Sequence, residues 1–314
     1  MRRFAPALLS LIVVAMPSFG TATAAAESDG RAIVIVSGGD ATSPFTTPSV
    51  ACASGLAAGN TDTALRQYLL EQGHTVYTSP AMAGRGPVVD QDGFGAFGDC
   101  PITLPENMTV NSTGSIDTAG EHLARFFDHL HTAYGVDEID IVGHSMGGRI
   151  GVRAGRTRPA GLRRLVLVDP PVSGPGRRPY PAKLPWYVDS MAQARHGMDA
   201  EAMRAFCPTW TDAQRQLRAQ WLHTCDERAI VQSFDAFQTD DIHADLPLLN
   251  VPVLLVTAEK GDVVLDDDAA EIARLAPGTR HHRVPAAGHM IPWDNEEGFY
   301  AAFGDFLGAP LARA

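Results

Sequence analysis

The sequence predicts an α/β fold with a mainly parallel central sheet, flanking helices and an inserted helical cap. Three observations carry this. Short apolar, β-branched runs recur at 32–37, 138–142, 165–168 and 253–257. Helix-period segments lie between several of them, and buried strands joined by helices pair in parallel. Finally, residues 171–247 break the alternation and read as helices, a crossover long enough to indicate an insertion.

Residues 1–26 read as a signal peptide. Arg2 and Arg3 form a positive n-region and Phe4–Met16 an apolar h-region. TATAAAES then supplies small residues at cleavage spacing, after Ala24 or Ala26. The apolar run is short for a membrane span. Cleavage is therefore expected to leave no stable membrane anchor and a secreted or periplasmic protein; a retained, anchoring leader is the alternative. Residues 27–314 form the α/β domain, with the cap inserted at about 171–247. Export permits disulfides. Pairing by neighbourhood joins Cys52 to Cys100 and Cys207 to Cys225, although four cysteines allow three pairings. Four buried free thiols are the other outcome. His281 and His282 are strand neighbours facing opposite sides and make a poor chelate. No metal or organic cofactor is expected. A formal net charge of -11 argues against nucleic acid and anionic membranes as partners and leaves a small-molecule substrate.

The elements follow in order. Ala32–Ser37 is a strand that ends at Gly38-Gly39. Residues 61–72 form a helix stopped by Gly73, and 74–78 a second strand. Residues 79–115 are rich in Gly, Pro, Asp and Asn and read as a long irregular loop. Residues 115–134 form an amphipathic helix, apolar at Leu123, Phe126, Phe127 and Leu130. Then come strand 138–142, helix 146–157 and strand 165–168. After the cap come strands 253–257 and 280–284 and a last helix, 295–307.

Gly143-His144-Ser145-Met146-Gly147 fits G-x-S-x-G in a strand–turn–helix context. A serine on such a turn takes strained dihedrals, so its close neighbours must lack side chains. The turn also sets Ser145 at a helix N-terminus, where free N–H groups stabilise developing negative charge. The Met146 N–H is one candidate oxyanion donor. The second is expected from the turn after the first strand, at Asp40 or next at Gly39. A serine hydroxyl needs a base. His289, in the loop AAGHMIPWDN after the last strand, lies at the carboxyl end of the sheet, where ligands bind in such folds. His144 is adjacent to the serine but is expected to point away from it. Two acids fit the chain order: Asp169, ending LVLVD, and Asp262, after PVLLVT. Either would fix the histidine tautomer and stabilise its imidazolium form. Position favours Asp262, because the acid usually follows the penultimate strand.

A small anionic substrate would need cationic donors under the cap. Arg149, Arg177, Arg178, Lys183 and His243 are the candidates. His144, Arg178, Trp186, Tyr187 and Trp293 could wall a pocket, with packing inside the cap as the alternative for the last three.

Over residues 31–310 the chain resembles the α/β-hydrolase superfamily. Over about 139–311 it resembles the N-formylmaleamate deformylases of bacterial nicotinate degradation. The residues that carry this are RLVLVDPPVSGPGRRPYPAKLPWYVDS, RAQWLHTCDERAIV, DDIHADLP and AGHMIPWDN with GFYAAFGDFL. That resemblance implies hydrolysis of an N-formyl amide to formate and an amide. It places the acid after the strand that follows the elbow, at Asp169, with Ser145 and His289 as partners. The leader, Cys52 and Cys100, and the loop 79–115 are more similar to a secreted lipase or esterase. A carboxylic-ester hydrolase is the alternative implied. A non-catalytic, hydrolase-like binding protein is the alternative of another class, and the intact Ser/His/Asp set argues against it. A cofactor-free haloperoxidase-like or lyase activity would use the same scaffold.

Overall fold

The computed structural model describes residues 30–36, 38, 61–79, 81–82, 96–97, 100–101, 105–111, 114–180, 184–208, 210–222 and 227–308. Ten strands run through the described residues. They are β1 (Arg31–Val36), β2 (Val76–Thr78), the two-residue strands β3 (Ala81–Met82), β4 (Ala96–Phe97), β5 (Cys100–Pro101) and β6 (Val110–Asn111), then β7 (Glu138–His144), β8 (Leu162–Val168), β9 (Val253–Ala258) and β10 (Arg280–Val284). Six of them form one sheet in the order β10-β9-β8-β7-β1-β2, every pair parallel. The short strands pair separately, β3 with β6 and β4 with β5, within the segment expected to be one irregular loop.

Burial explains the parallel arrangement. Along β1 the residues alternate between two apolar layers. Val34 and Val36 join Phe126, Phe127, Leu130 and Ile150 on one face. Ile33 and Ile35 join Leu65, Leu69, Phe299 and Phe303 on the other. Because both faces are covered, the strands read as continuous apolar runs. The covering helices are α1 (Thr61–Glu71), α2 (Ile116–Tyr134), α3 (Met146–Gly155), α8 (Asp266–Leu275) and α10 (Glu296–Phe303). Helix α2 begins where the Ser115 side chain accepts from the Asp117 N–H, and it ends at Gly135, whose φ of 66° suits a residue without Cβ.

Between β8 and β9 lie α4 (Leu184–Arg195), α5 (Ala200–Met203), α6 (Asp212–Leu222) and α7 (Glu227–Thr239). They hold an apolar cluster of their own, built from Met191, Met203, Cys207, Trp210 and Leu222 and joined by Met290 and Trp293. Cys207 corrects one expectation. It is a free, buried thiol, so the bridge to Cys225 is not made. It packs as a small apolar side chain, and burial raises its pKa. Cys52, Cys225 and the side chain of Cys100 lie outside the described residues, as do the leader 1–26, Gly39 and Asp40.

Two arginines of α3 tie this helical segment down at both ends. Arg149 is fully buried and donates to the carbonyls of Pro171 (2.8 Å) and Ser173 (3.1 Å) at one end and of Asp240 (2.6 Å) at the other. Its guanidinium also lies over the Phe237 ring. Arg153 binds the carboxylates of Asp245 and Asp117 and the Asp241 carbonyl. Arg149→Met strands three carbonyl oxygens, each costing about 1–3 kcal/mol if left unpaired. The expected loss is about 3 kcal/mol or more, read as a lower urea midpoint with unchanged slope.

The last helix starts where it was expected, and a short helix that was not expected precedes it. Ile291–Asp294 forms α9, and Asn295 then restarts the chain as α10, its side chain accepting from the Gly298 N–H at 2.9 Å. Among the described residues no helix is long and apolar enough to cross a membrane.

Candidate active site

Three loops leave the same edge of the sheet and meet. β7 and β8 pair His144 with Val168, so Ser145 and Asp169 leave neighbouring strands at one level. Each keeps one more ladder bond before the chain turns. The Ser145 N–H donates to the Val168 carbonyl at 2.9 Å, and the Asp169 N–H to that of Val256 at 2.8 Å. Each then takes a left-handed φ, 54° at Ser145 and 46° at Asp169. Such values cost energy for a residue with a side chain, and they concentrate at functional sites.

The glycines around Ser145 are explained by contact. A Cβ on Gly143 would stand 2.5 Å from the Gly147 carbonyl oxygen. One on Gly148 would meet the Pro170 side chain at 3.0 Å and the Gly143 carbonyl oxygen at 3.1 Å. Strand and helix approach so closely that side chains do not fit between them. Met146 opens α3, so its N–H has no partner one turn back within the helix. Gly38, at the end of β1, lies beside this turn; a Cβ there would be 3.5 Å from that of Ser145. The first-strand turn therefore reaches the serine, although the donors expected within it, Asp40 and Gly39, lie outside the described residues.

His289 completes the set. Its Nδ1 donates to Asp169 Oδ2 at 2.8 Å, since a carboxylate only accepts. That leaves Nε2 as acceptor, 3.1 Å from Ser145 Oγ. Asp169 is buried, and its other oxygen lies 3.4 Å from the Ala258 N–H. Asp262, the alternative acid, is exposed. Its backbone carbonyl accepts from Arg178, and its carboxylate makes no hydrogen bond to His289. The loop carrying His289 is braced on both sides. The Gly288 N–H donates to Asp294 at 2.8 Å, and the Lys260 N–H to the Ala287 carbonyl at 2.8 Å.

His144 lies behind this set. Its ring stacks against that of His289 at 5.0 Å, and its Nε2 donates to the His289 carbonyl at 3.1 Å. Burial, helped by repulsion from the His289 ring when that ring is protonated, pushes its pKa from 6.5 down to about 3. His144 is therefore neutral in the folded protein while the unfolded chain takes up a proton below pH 6.5. Protonation favours unfolding across that window, so stability falls as pH drops from 6.5 towards 3, by about 1.4 kcal/mol per pH unit. His144→Gln keeps a donor and removes the titration. Its stability is expected to be flatter than the wild type's between pH 6.5 and 4.5, as measured by urea unfolding at several pH values.

The cationic candidates are engaged elsewhere. Arg177 pairs with Glu271 and Asp241, and Arg178 with Asp268 and two carbonyls. Arg149 serves the segment ends, and His243 Nδ1 bonds Asp241. Lys183 and the Trp186 side chain lie outside the described residues. Trp293 packs on Trp210, 4.5 Å between ring centroids. Tyr187 shares a hydrogen bond with Tyr180, a residue sequence reasoning did not single out. The Tyr180 ring meets His289 edge-on at 5.8 Å. It sits in a proline-rich stretch whose composition gives no periodic signal.

A doubly covered parallel sheet, with a serine, a histidine and an aspartate linked at its carboxyl edge, defines the class. The chain belongs to the alpha/beta hydrolase fold family, whose model matches residues 109–296, and it is an enzyme of the hydrolase class. More particularly, it is 46% identical over 266 residues to an N-formylmaleamate deformylase from Pseudomonas putida, covering 82% of this chain and 98% of that one. It is also similar to the crystal structure of the N-formylmaleamic acid deformylase from another Pseudomonas putida strain. There the TM-score is 0.61 and the identity 38%, over 87% of this chain and 91% of that one. A bromoperoxidase from Bacillus anthracis shares the fold alone, with TM-score 0.59 and 16% identity over 88% and 92% of the two chains.

Proposed function

We propose that this enzyme is a serine hydrolase that cleaves a small formamide-type C–N bond, with Ser145 as nucleophile, His289 as general base and Asp169 as the orienting acid. The observation that carries this is the chain of hydrogen bonds from Ser145 Oγ to His289 Nε2 (3.1 Å) and from His289 Nδ1 to Asp169 (2.8 Å). The substrate class is supported by the identity to a deformylase over most of both chains.

In this mechanism His289 Nε2 takes the serine proton as Ser145 Oγ attacks the formyl carbon. The oxyanion rests on the Met146 N–H and a second N–H from the turn after β1, at Asp40 or Gly39. Collapse expels the amide nitrogen, which receives the proton from His289. Water, deprotonated by His289, then hydrolyses the formyl-serine ester, releasing formate and restoring the hydroxyl. The helices between β8 and β9 act as a cap over this chemistry. Export follows from the leader 1–26; N-terminal sequencing of protein recovered outside the cytoplasm checks it, with a start at Ala25 or Glu27 expected.

The test is formate release from N-formylmaleamate, set beside turnover of a short-chain p-nitrophenyl ester. Fast formate release with weak esterase activity is expected. Esterase activity without formate would instead assign a carboxylic-ester hydrolase. Failure of both, with Ser145 inert to a fluorophosphonate, would leave a binding protein.

A further inference from the structure

Residues 285–290, which carry His289, form neither helix nor strand. Bonds to Lys260 and Asp294 hold Ala287 and Gly288. His289 itself is held from another direction: its carbonyl accepts from His144 Nε2 at 3.1 Å. A carbonyl only accepts, so the proton of the neutral His144 ring sits on Nε2. The same ring lies against the His289 imidazole, with 5.0 Å between centroids and 29° between planes. His144 is the last residue of β7 and directly precedes Ser145. The residue next to the nucleophile thus touches both the backbone and the ring of the base.

His144 is also confined from the side of the first strand. A Cβ on Gly38 would stand 3.4 Å from its Nδ1 and 3.5 Å from Ser145 Cβ. The ring therefore lies between the end of β1 and the His289 loop. Asp169 fixes the His289 side chain at Nδ1 and leaves the backbone of residue 289 to be placed by other contacts. Proton transfer needs Ser145 Oγ and His289 Nε2 within hydrogen-bond reach, and a misplacement of about 1 Å costs about 10²-fold in rate. Charge agrees with this arrangement. His289 becomes an imidazolium as Ser145 attacks, and a neutral neighbour does not oppose it.

We infer that His144 is a positioning residue: its Nε2–H, by holding the His289 carbonyl, sets the reach of the His289 imidazole to Ser145. This deepens the proposed function and rests on its assignment of Ser145 and His289. His144 acts through His289 alone and takes no proton in the reaction.

The test reads the reactivity of Ser145 and does not depend on the substrate. With a fluorophosphonate, Ser145 Oγ bonds to phosphorus, fluoride leaves and His289 takes the serine proton. The maximal labelling rate, the probe concentration at half that rate and the final labels per chain are measured for the parent, His144→Phe, His144→Asn and His144→Gln. Phenylalanine keeps a ring without the donor. Asparagine carries an amide too short to reach the carbonyl, and glutamine carries one at about the distance of Nε2. His144→Phe and His144→Asn are expected to lower the maximal rate about tenfold or more, with half-saturation within about twofold and labelling still going to completion. His144→Gln should return the rate to within about threefold of the parent. A residue needed for folding alone would lower the melting temperature and the final labelling, and leave the rate of the folded chains unchanged. Unchanged rates in the Phe and Asn variants, or a loss in the Gln variant as large as theirs, would overturn the role. If His144→Phe fails to fold, the Asn and Gln variants carry the comparison. A parent protein inert to the probe would overturn the nucleophile assignment and this role with it. The expected variant pattern without formate release would sink the deformylase assignment and leave the role of His144 standing.

Discussion

Ser145→Ala is expected to lower kcat by at least about 10⁴-fold and to leave the fold intact. The Ser145 hydroxyl has one described role, its hydrogen bond with His289 Nε2. Its backbone N–H bonds the Val168 carbonyl and remains in the variant. The left-handed φ of 54° is equally strained for alanine, so the turn is neither relieved nor further loaded. Circular dichroism and melting temperature should therefore match the wild type, while formate or ester release falls to the residual catalysis of the oxyanion donors. A variant that keeps most of its turnover would remove Ser145 from the chemistry altogether.

Asp169→Asn should cost about 10⁴-fold in kcat with little change in structure. Asp169 only accepts, and so it holds the His289 proton on Nδ1 and keeps Nε2 free for the serine. An asparagine amide can donate to Nδ1 instead, moving the proton to Nε2 and leaving Ser145 without a base. Asp262→Asn is expected to change kcat only a few-fold, because its carboxylate makes no hydrogen bond to the histidine. Steady-state turnover of the two variants settles the ranking; a larger loss at position 262 would make that residue the acid.

Much of this was legible in the sequence. The doubly buried strands, the Gly143–Gly148 turn and the His289 loop each have a local signature, because backbone strain and complete burial dictate composition at those points. The choice between Asp169 and Asp262 had no local signature. Both follow apolar strands, and sheet register together with the braced His289 loop decides which one the imidazole meets. The resemblance to deformylases pointed to Asp169, whereas position alone favoured Asp262. β8 starts at Leu162, three residues before its apolar run, because Arg163 and Arg164 lie within it. Arg163 reaches across to the buried Asp140 of β7, so a charged pair hides strand residues. Helix α8 was missed because its face to solvent opens with Asp266, Asp267 and Asp268, leaving few apolar positions to mark a period. Tyr180 meets the His289 ring only through tertiary packing, which no spacing rule records. Of the cationic residues singled out from the sequence, Arg149, Arg177, Arg178 and His243 are committed to carboxylates and carbonyls instead.

The arginine ties from α3 to both ends of the helical segment bear on how this enzyme can diversify. Arg149 and Arg153 grip residues 171–173 and 240–245 from the same helix that Ser145 opens. Between those anchor points Met191, Met203, Cys207, Trp210 and Leu222 share an apolar cluster, joined by Met290 and Trp293, while Tyr180 and Phe237 pack in the main core. The segment is thus a replaceable cassette on a fixed socket. Its exchange with that of a relative, spliced beyond Gly174 and before Asp240, should carry substrate preference across while Ser145, His289 and Asp169 stay in place.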